Sequence, residues 1–312
     1  SGYRACFGGK RFLGSSPTFP TKFLFDLFHG LIYNYIMILV DLNQVVLSNL
    51  MQQLAIVKGQ NVEEAFLRHM ILNSIKSYKN KFSEKYGELV MCNDTSDYWR
   101  KKIFPYYKVN RKKAQEKSDI DWNLIFLSLN KIKDEIRETF PYKFVAVSHC
   151  EADDVIAVLT KNFHKASPIL VVSGDRDFVQ LFKYPNVQQY SPVHKKFIEE
   201  KDPISFLEEK VIYGDSGDGV PNIASPDDVF FLGKRQGRVT DKIISQIKIK
   251  DNPVSIRYMR NKALIDFDFI PEDVEKKILA EYSKPVIGST DKVKDYLINN
   301  KLKLLLAAHG EF

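Results

Sequence analysis

The sequence predicts an α/β protein with a mainly parallel central sheet, flanking helices and a C-terminal helical region. Two observations predict this class: short continuous apolar runs of strand length recur along the chain, and segments of helical length separate them. Four runs lead into an acid, at 36–41, 88–94, 144–151 and 169–175. Because ligands bind beyond the carboxyl ends of such strands, the acids are expected at one edge. Crowded carboxylates repel one another, so this edge indicates bound cations.

Apolar residues at helical spacing predict the helices between these runs. In chain order we predict helices at 61–81, 122–140 and 152–163 and short strands at 186–190 and 196–198. Near 195–205 the sequence pattern changes from strands and helices to helices and polar loops, so we place a domain boundary there. A late helix is expected to begin near Pro271, because proline suits the first turn of a helix.

The sequence predicts three parts: 1–36, an α/β domain at 37–200 and a helical domain at 201–312. The apolar stretch at 23–40 contains Asp26 and His29, which argues against a membrane span. Because Met37 lies one residue into the first strand, we expect it to be the natural start and 1–36 to lie outside the core fold.

The composition favours a polyanionic partner. Lys and Arg number 46 and Asp and Glu number 39, giving a net charge of +7, although nine acids belong to the cluster proposed below. Solubility alone also explains such a charge. The three cysteines form no CxxC pair, which indicates reduced residues of a cytosolic protein and excludes a disulfide or zinc framework.

Three acidic motifs supply the remaining members of the cluster. They lie at 151–154, 173–177 and 213–222, following a predicted strand or within a glycine-rich loop. Helix capping and ordinary turns are the alternative explanations for each motif taken alone. The candidate metal ligands are Asp41, Asp94, Glu151, Asp153, Asp154, Asp175, Asp177, Asp215 and Asp218.

A basic and aromatic stretch follows the second strand. Residues 99–117 contain eight bases, one acid and four aromatic residues, a composition typical of a nucleic-acid-binding segment. Lys108 and Arg111 are three residues apart and share a face if the segment is helical. A solvated basic helix is the alternative interpretation.

In their order and surroundings these motifs resemble the flap endonuclease, or 5′→3′ exonuclease, family. Within it the sequence is most similar to the ribonucleases H of T-even-type bacteriophages. The resemblance runs from about Ile38 to the C-terminus and includes 107–111, 183–187, 191–196 and 264–271. It departs from the family pattern after Asn222, where a glycine-rich continuation is usual.

The resemblance implies a two-metal phosphodiesterase that uses two Mg²⁺ ions, with Mn²⁺ able to substitute. It implies that 37–200 is the nuclease domain, with an arch at about 95–120, and that 201–312 is a helical DNA-binding domain. Asp177, Asp215 and Asp218 would serve the second ion and the other six acids the first, some of them through water. Lys108 and Arg111 would steady the scissile phosphate. The remaining nucleic-acid contacts implied are Arg100, Tyr107 stacking on a terminal base, Lys112 and Lys113, and residues 214–222 would open a helix-turn-helix-like duplex clamp.

The function expected from this resemblance is a Mg²⁺-dependent 5′→3′ nuclease that removes RNA primers and adjoining DNA or flaps in lagging-strand replication. Its expected partners are RNA–DNA hybrids, duplex DNA with a 5′ end or flap, a single-stranded-DNA-binding protein and a sliding clamp. We expect a monomer in the cytoplasm, that of the host cell for a bacteriophage protein. The alternatives are a PIN-type metal-dependent ribonuclease and a non-catalytic nucleic-acid-binding module.

Overall fold

The computed structural model describes residues 37–56, 63–116 and 121–312. The predicted extension at 1–36 therefore lies outside the described residues. The described residues belong to one compact unit.

Six strands form a single sheet. They are β1 (Met37–Asp41), β2 (Glu88–Cys92), β3 (Lys143–Val145), β4 (Ile169–Val172), β5 (Val187–Ser191) and β6 (Lys196–Ile198). The strand order is β3-β2-β1-β4-β5-β6; the first five run parallel and β6 runs antiparallel to β5. The predicted mainly parallel sheet is confirmed. The order reverses between β1 and β4, which is where ligands of such sheets bind.

Helices cover the sheet and make up the C-terminal region. They are α1 (Leu42–Ile56), α2 (Glu64–Tyr86), α3 (Arg100–Ile103), α4 (Val109–Glu116), α5 (Trp122–Thr139), α6 (Ala152–Phe163), α7 (Pro203–Tyr213), α8 (Asp241–Ser245), α9 (Pro253–Ile265), α10 (Glu272–Tyr282), α11 (Thr290–Asn299) and α12 (Lys303–Leu306). The predicted helices at 122–140 and 152–163 match α5 and α6, whereas β3 ends at Val145, before the predicted limit. After β3 the chain makes a turn at 147–150, in which the Cys150 N–H donates to the carbonyl of Val147 at 3.0 Å.

The sheet is buried on both faces, as its continuous apolar strands predict. Ile38 and Val40 pack with α1, α2 and α5 on one face, while Met37 and Leu39 pack with α6 and α10 on the other. The chain's final helices return to the first face, where Phe312 is buried. The segment 201–312 therefore contributes to both cores of the sheet, and a third buried cluster joins its Val211, Val220, Leu264 and Ile265 to Phe104 and Tyr107.

Helices α7 and α9 pack together beside the sheet edge. The amide of Asn261 donates to the carbonyls of Val211 and Pro221 at 2.9 and 2.8 Å, which ties both helices to the glycine-rich loop. Residues 214–240, which connect α7 to α8, contain no helix. The long connection after α7 therefore differs from the short turn of a helix–turn–helix motif. Among the described residues, no helix has the length and apolar character needed to cross a membrane.

Candidate metal centre

Four carboxylates meet where the strand order reverses, and we name them the first group: Asp41, Asp94, Asp153 and Asp175. Asp41 ends β1, Asp94 follows β2, Asp153 lies in the first turn of α6 and Asp175 follows β4. The Asp41 side chain accepts hydrogen bonds from the Gln44 N–H and the Ser173 hydroxyl, both at 3.0 Å. The predicted convergence of acids at one edge is therefore present in the structure.

The first group is crowded as well as buried. Burial, with Asp94 and Asp175 nearby, raises the pKa of Asp41 to about 6. Burial and the neighbouring carboxylates of Glu151, Asp175 and Asp41 raise the pKa of Asp153 well above its usual range. Such shifts mean that burial and the neighbouring carboxylates disfavour the charged forms, even though Lys108 favours the charged form of Asp153. Cations at this edge would favour the charged forms.

We expect the Asp41→Asn variant to show a flatter dependence of stability on pH than wild type when divalent ions are removed. The pKa of Asp41 is raised in the folded state from 3.8 to about 6, so protonation stabilises the fold fully below pH 4 and the stabilisation is lost as pH rises through 6. The variant lacks this loss, which is about 1–3 kcal/mol. Urea unfolding with chelator at pH 4 to 7 measures it, and parallel profiles for the two proteins would contradict it.

Glu151 and Asp154 form a buried ion-pair cluster with Arg100. The Arg100 guanidinium contacts Glu151 at 2.7 Å and Asp154 at 2.8 Å, and all three side chains are at most 3% exposed. Asp154 also accepts from the Trp99 indole N–H and the Glu151 backbone N–H, both at 3.0 Å. Asp154 therefore caps α6 and anchors α3, and its role as a metal ligand stays a prediction.

Two residues predicted to contact nucleic acid are buried. Arg100 also donates to the carbonyl of Leu264 at 2.9 Å, so its guanidinium is enclosed by protein. The Tyr107 hydroxyl lies between two carboxylates, 3.0 Å from Glu151 and 2.9 Å from Asp218, to which it can donate its one proton, and the residue is 4% exposed. A buried ring offers no face to a terminal base, so the predicted stacking role of Tyr107 does not fit. The sequence shows only a basic, aromatic run and gives no sign of this burial.

Asp177, Asp215 and Asp218 form the second group, and basic side chains hold all three. Lys210 contacts Asp177 and lies 2.8 Å from Asp215. Asp215 also accepts from the N–H groups of Gly217 and Asp218, at 2.8 and 3.1 Å. Although burial opposes it, Lys210 and these hydrogen bonds lower the pKa of Asp215.

Lys108 and Arg111 converge on Asp218 from the arch segment. Arg111 contacts Asp218 at 2.6 Å, and Lys108 contacts Glu151 and lies 3.8 Å from Asp218. Lys108 precedes α4 and has a φ of +58°, so the expected shared helical face is wrong even though both side chains reach one site. Lys112 and Lys113 are in α4, but their side chains lie outside the described part of the chain.

The arch segment is joined to the glycine-rich loop by hydrogen bonds. The Lys108 backbone N–H donates to the carbonyl of Asp218 at 2.7 Å, and the side-chain amide of Asn110 donates to that of Ser216 at 3.1 Å. Gly214 permits this turn because its φ is +73° and a Cβ there would collide with the carbonyl of Val220. The loop therefore presents Asp215 and Asp218 directly beneath the arch.

The residues at this edge fit hard divalent cations. The possible metal ligands described at this edge are carboxylates. The raised pKa values of Asp41 and Asp153 indicate that negative charge is crowded there. Across the described residues, no three His, Cys, Asp or Glu side chains are close enough to enclose one ion directly. Hard divalent cations can also reach carboxylates through bound water.

Comparison with known proteins places these groups in a family. The description "5'-3' exonuclease, N-terminal resolvase-like domain" matches residues 37–211, and "T4 RNase H, C terminal" matches 204–312. Ribonuclease H of Enterobacteria phage T4 is 34% identical over 291 residues, covering 88% of this chain and 95% of that protein. The chain belongs to the 5′→3′ exonuclease family.

Other members of the 5′→3′ exonuclease family match more briefly. The flap endonuclease Xni of Shewanella denitrificans is 32% identical over 145 residues, covering 44% of this chain and 54% of that protein. Two solved bacteriophage T5 structures share the fold: a 5′-exonuclease with bound zinc (TM-score 0.58, 18% identity, 79% of this chain and 97% of that one) and a flap endonuclease with DNA and metal ions (0.57, 17%, 80% and 99%). The chain is a 5′→3′ nuclease that hydrolyses phosphodiesters.

Two lysines of this 5′→3′ exonuclease were not predicted from the sequence. Lys210 bridges two acids of the second group, and Lys133 on α5 donates to Asn43 beside the first. Burial lowers the pKa of Lys133, while Asp94 and Asp41 act in the opposite direction. Lys133 is distant along the chain from Asp41 and Asp94, and Lys210, although it closely precedes Asp215, is distant from Asp177, so no sequence pattern indicates that either lysine reaches these acids.

Proposed function

We propose that this nuclease uses two Mg²⁺ ions, with Mn²⁺ able to substitute, on RNA–DNA hybrids and on duplex DNA with a 5′ end or flap. The observation that carries the proposal is the division of the carboxylates into two groups that meet at Asp175. Its pKa is raised by burial and by Asp218 and Asp215, while it also raises the pKa values of Asp41 and Asp153. A carboxylate shared by two groups suits a pair of cations.

The side chains around these groups have distinct roles in the proposal. The first group would hold one ion and the second group the other, and together the ions would activate a water and stabilise the leaving oxygen. Lys108 and Arg111 would contact the scissile phosphate from the arch. Glu151 keeps Lys108 in place, and Arg100 holds Glu151 at the base of the arch.

The proposed biological role is removal of RNA primers and adjoining DNA during lagging-strand replication. It is supported by the relative named ribonuclease H and by the solved T5 flap endonuclease with DNA. The proposal includes a monomer in the cytoplasm, two domains meeting near residue 200, a duplex clamp after Gly214, and a single-stranded-DNA-binding protein and sliding clamp as partners.

The two alternatives are weaker on specific grounds. A minimal PIN-type ribonuclease lacks a C-terminal extension, whereas here Asp215 and Asp218 complete the second group. A non-catalytic module would use its acids to cap helices. Helix capping explains Asp154. It does not explain why Asp41 and Asp153 are buried among other carboxylates, which raises their pKa values.

Cleavage is expected to require Mg²⁺ or Mn²⁺ and to need no Zn²⁺, because the centre contains only carboxylate oxygens. The test is digestion of a 5′-end-labelled RNA–DNA hybrid beside a DNA flap, scored for product length, with each ion and with excess chelator. Full activity in chelator would overturn the two-ion proposal. Binding of both substrates without cleavage under any ion condition would support the non-catalytic module.

A further inference from the structure

The ammonium of Lys210 occupies the space between two acids of the second group. It contacts Asp177 and lies 2.8 Å from Asp215, and the three side chains are only 16 to 20% exposed. Oδ1 of Asp177 is buried and accepts no hydrogen bond other than through this ion pair. One flexible side chain therefore supplies the positive charge that joins β4's acidic loop to the glycine-rich loop.

Asp218, the third acid of the second group, has different partners. Arg111 and the Tyr107 hydroxyl contact it, and Lys108 lies 3.8 Å away. Asp175 faces Lys210 as well, and the lysine acts against the rise in the pKa of Asp175. Lys210 is thus the cation nearest to the position where Asp175, Asp177 and Asp215 would share an ion.

We propose that the Lys210 ammonium is a resident cation of the second group, holding Asp177 and Asp215 until a divalent ion displaces it. The inference rests on the proposed two-ion function. A divalent ion and the ammonium require the same carboxylate oxygens, so binding of one weakens binding of the other. Lysine suits this exchange, because it is a point charge on a flexible four-carbon stem and can turn toward solvent without moving α7.

The first test is Mn²⁺ titration of substrate-free protein by calorimetry. In Lys210→Met the weaker of the two ions should bind about 5-fold more tightly or better, the lower limit of typical coupling between sites. The matched control is Arg176→Met. It also removes a positive charge close to Asp175 and Asp177 in the sequence, but the Arg176 guanidinium pairs with Glu200 at 2.9 Å and not with these acids. Equal tightening in the two variants would mean a general field effect and would overturn the proposal.

Thermal unfolding provides a second readout that a purely structural lysine would not reproduce. In chelator, Lys210→Met should melt about 2–4 °C below wild type, because two neighbouring carboxylates lose their shared partner. Saturating Mn²⁺ should close this gap. A gap of equal size with and without Mn²⁺ would show that Lys210 is structural only.

Direct observation completes the test. A crystal structure with Mn²⁺ should show the Lys210 ammonium outside ion-pair distance of Asp177, and a bridge retained with both ions bound would overturn the proposal. If neither wild type nor Lys210→Met binds Mn²⁺, the two-ion function itself fails. If wild type binds two ions and Lys210→Met binds them with unchanged affinity, only the role of Lys210 fails.

Discussion

The Asp175→Asn variant is expected to lose cleavage by about 10³-fold or more in single-turnover rate while binding substrate at least as tightly as wild type. Asp175 is the carboxylate that faces both groups, so its charge acts on both proposed ions, and several kcal/mol of transition-state stabilisation correspond to this loss. Tighter binding follows because one source of repulsion toward phosphate is removed. Rapid-quench kinetics and fluorescence anisotropy measure the two effects separately.

The fold should tolerate this substitution. Asp175 accepts a hydrogen bond from the Asp177 N–H at 2.9 Å, and asparagine retains an oxygen that can accept it. The matched control is Asp273→Asn, which removes an exposed carboxylate paired with Lys277 on α10, away from the sheet edge. Wild-type turnover by Asp175→Asn would show that the assignment of Asp175 is wrong.

The Lys108→Ala variant should lower single-turnover cleavage by about 10²-fold, the cost of one preorganised electrostatic contact with the transition state. Affinity for duplex away from the 5′ end should change little. Alanine and lysine share the same preference against the φ of +58° at this position, so the substitution adds no new backbone strain. Glu151 keeps Arg100 and Tyr107 as partners, which limits the loss of stability.

The control for Lys108→Ala is Lys101→Ala, which removes an exposed arch lysine that lies over the Tyr98 ring. This control should weaken binding slightly, reduce its dependence on salt and leave the cleavage rate of bound substrate unchanged. Equal losses of binding in both variants, with neither rate altered, would reduce Lys108 to part of a general basic surface.

Much of the fold could be predicted because each strand carries its own signal. β1, β2 and β4 are continuous apolar runs, and a parallel sheet places their carboxyl ends at one edge whatever the strand order. Asp41 and Asp175 could therefore be assigned to one centre from the sequence. The order itself, with β1 between β2 and β4, depends on packing between distant segments and was not predicted.

Three residues of the predicted site have buried partners that the sequence does not indicate. Arg100 and Tyr107 lie in a basic stretch whose composition suggests solvent exposure, yet both side chains pack into the base of the arch. Asp154 has the same chemistry as Asp153, one residue earlier, but points toward Trp99 and Arg100. No pattern within one helical turn separates these two acids, because the partners come from other segments.

The hydrogen bonds between the arch segment and the glycine-rich loop limit which segments of this protein can be exchanged for those of a relative. The Lys108 N–H and the Asn110 amide bind carbonyls of Asp218 and Ser216, so a segment from the first half of the chain shapes a loop from the second. A chimera that exchanges 201–312 for the same region of a relative would also replace the acceptor side of this junction. Grafting is therefore expected to succeed only when 98–111 is transferred together with 203–222, as a single cassette.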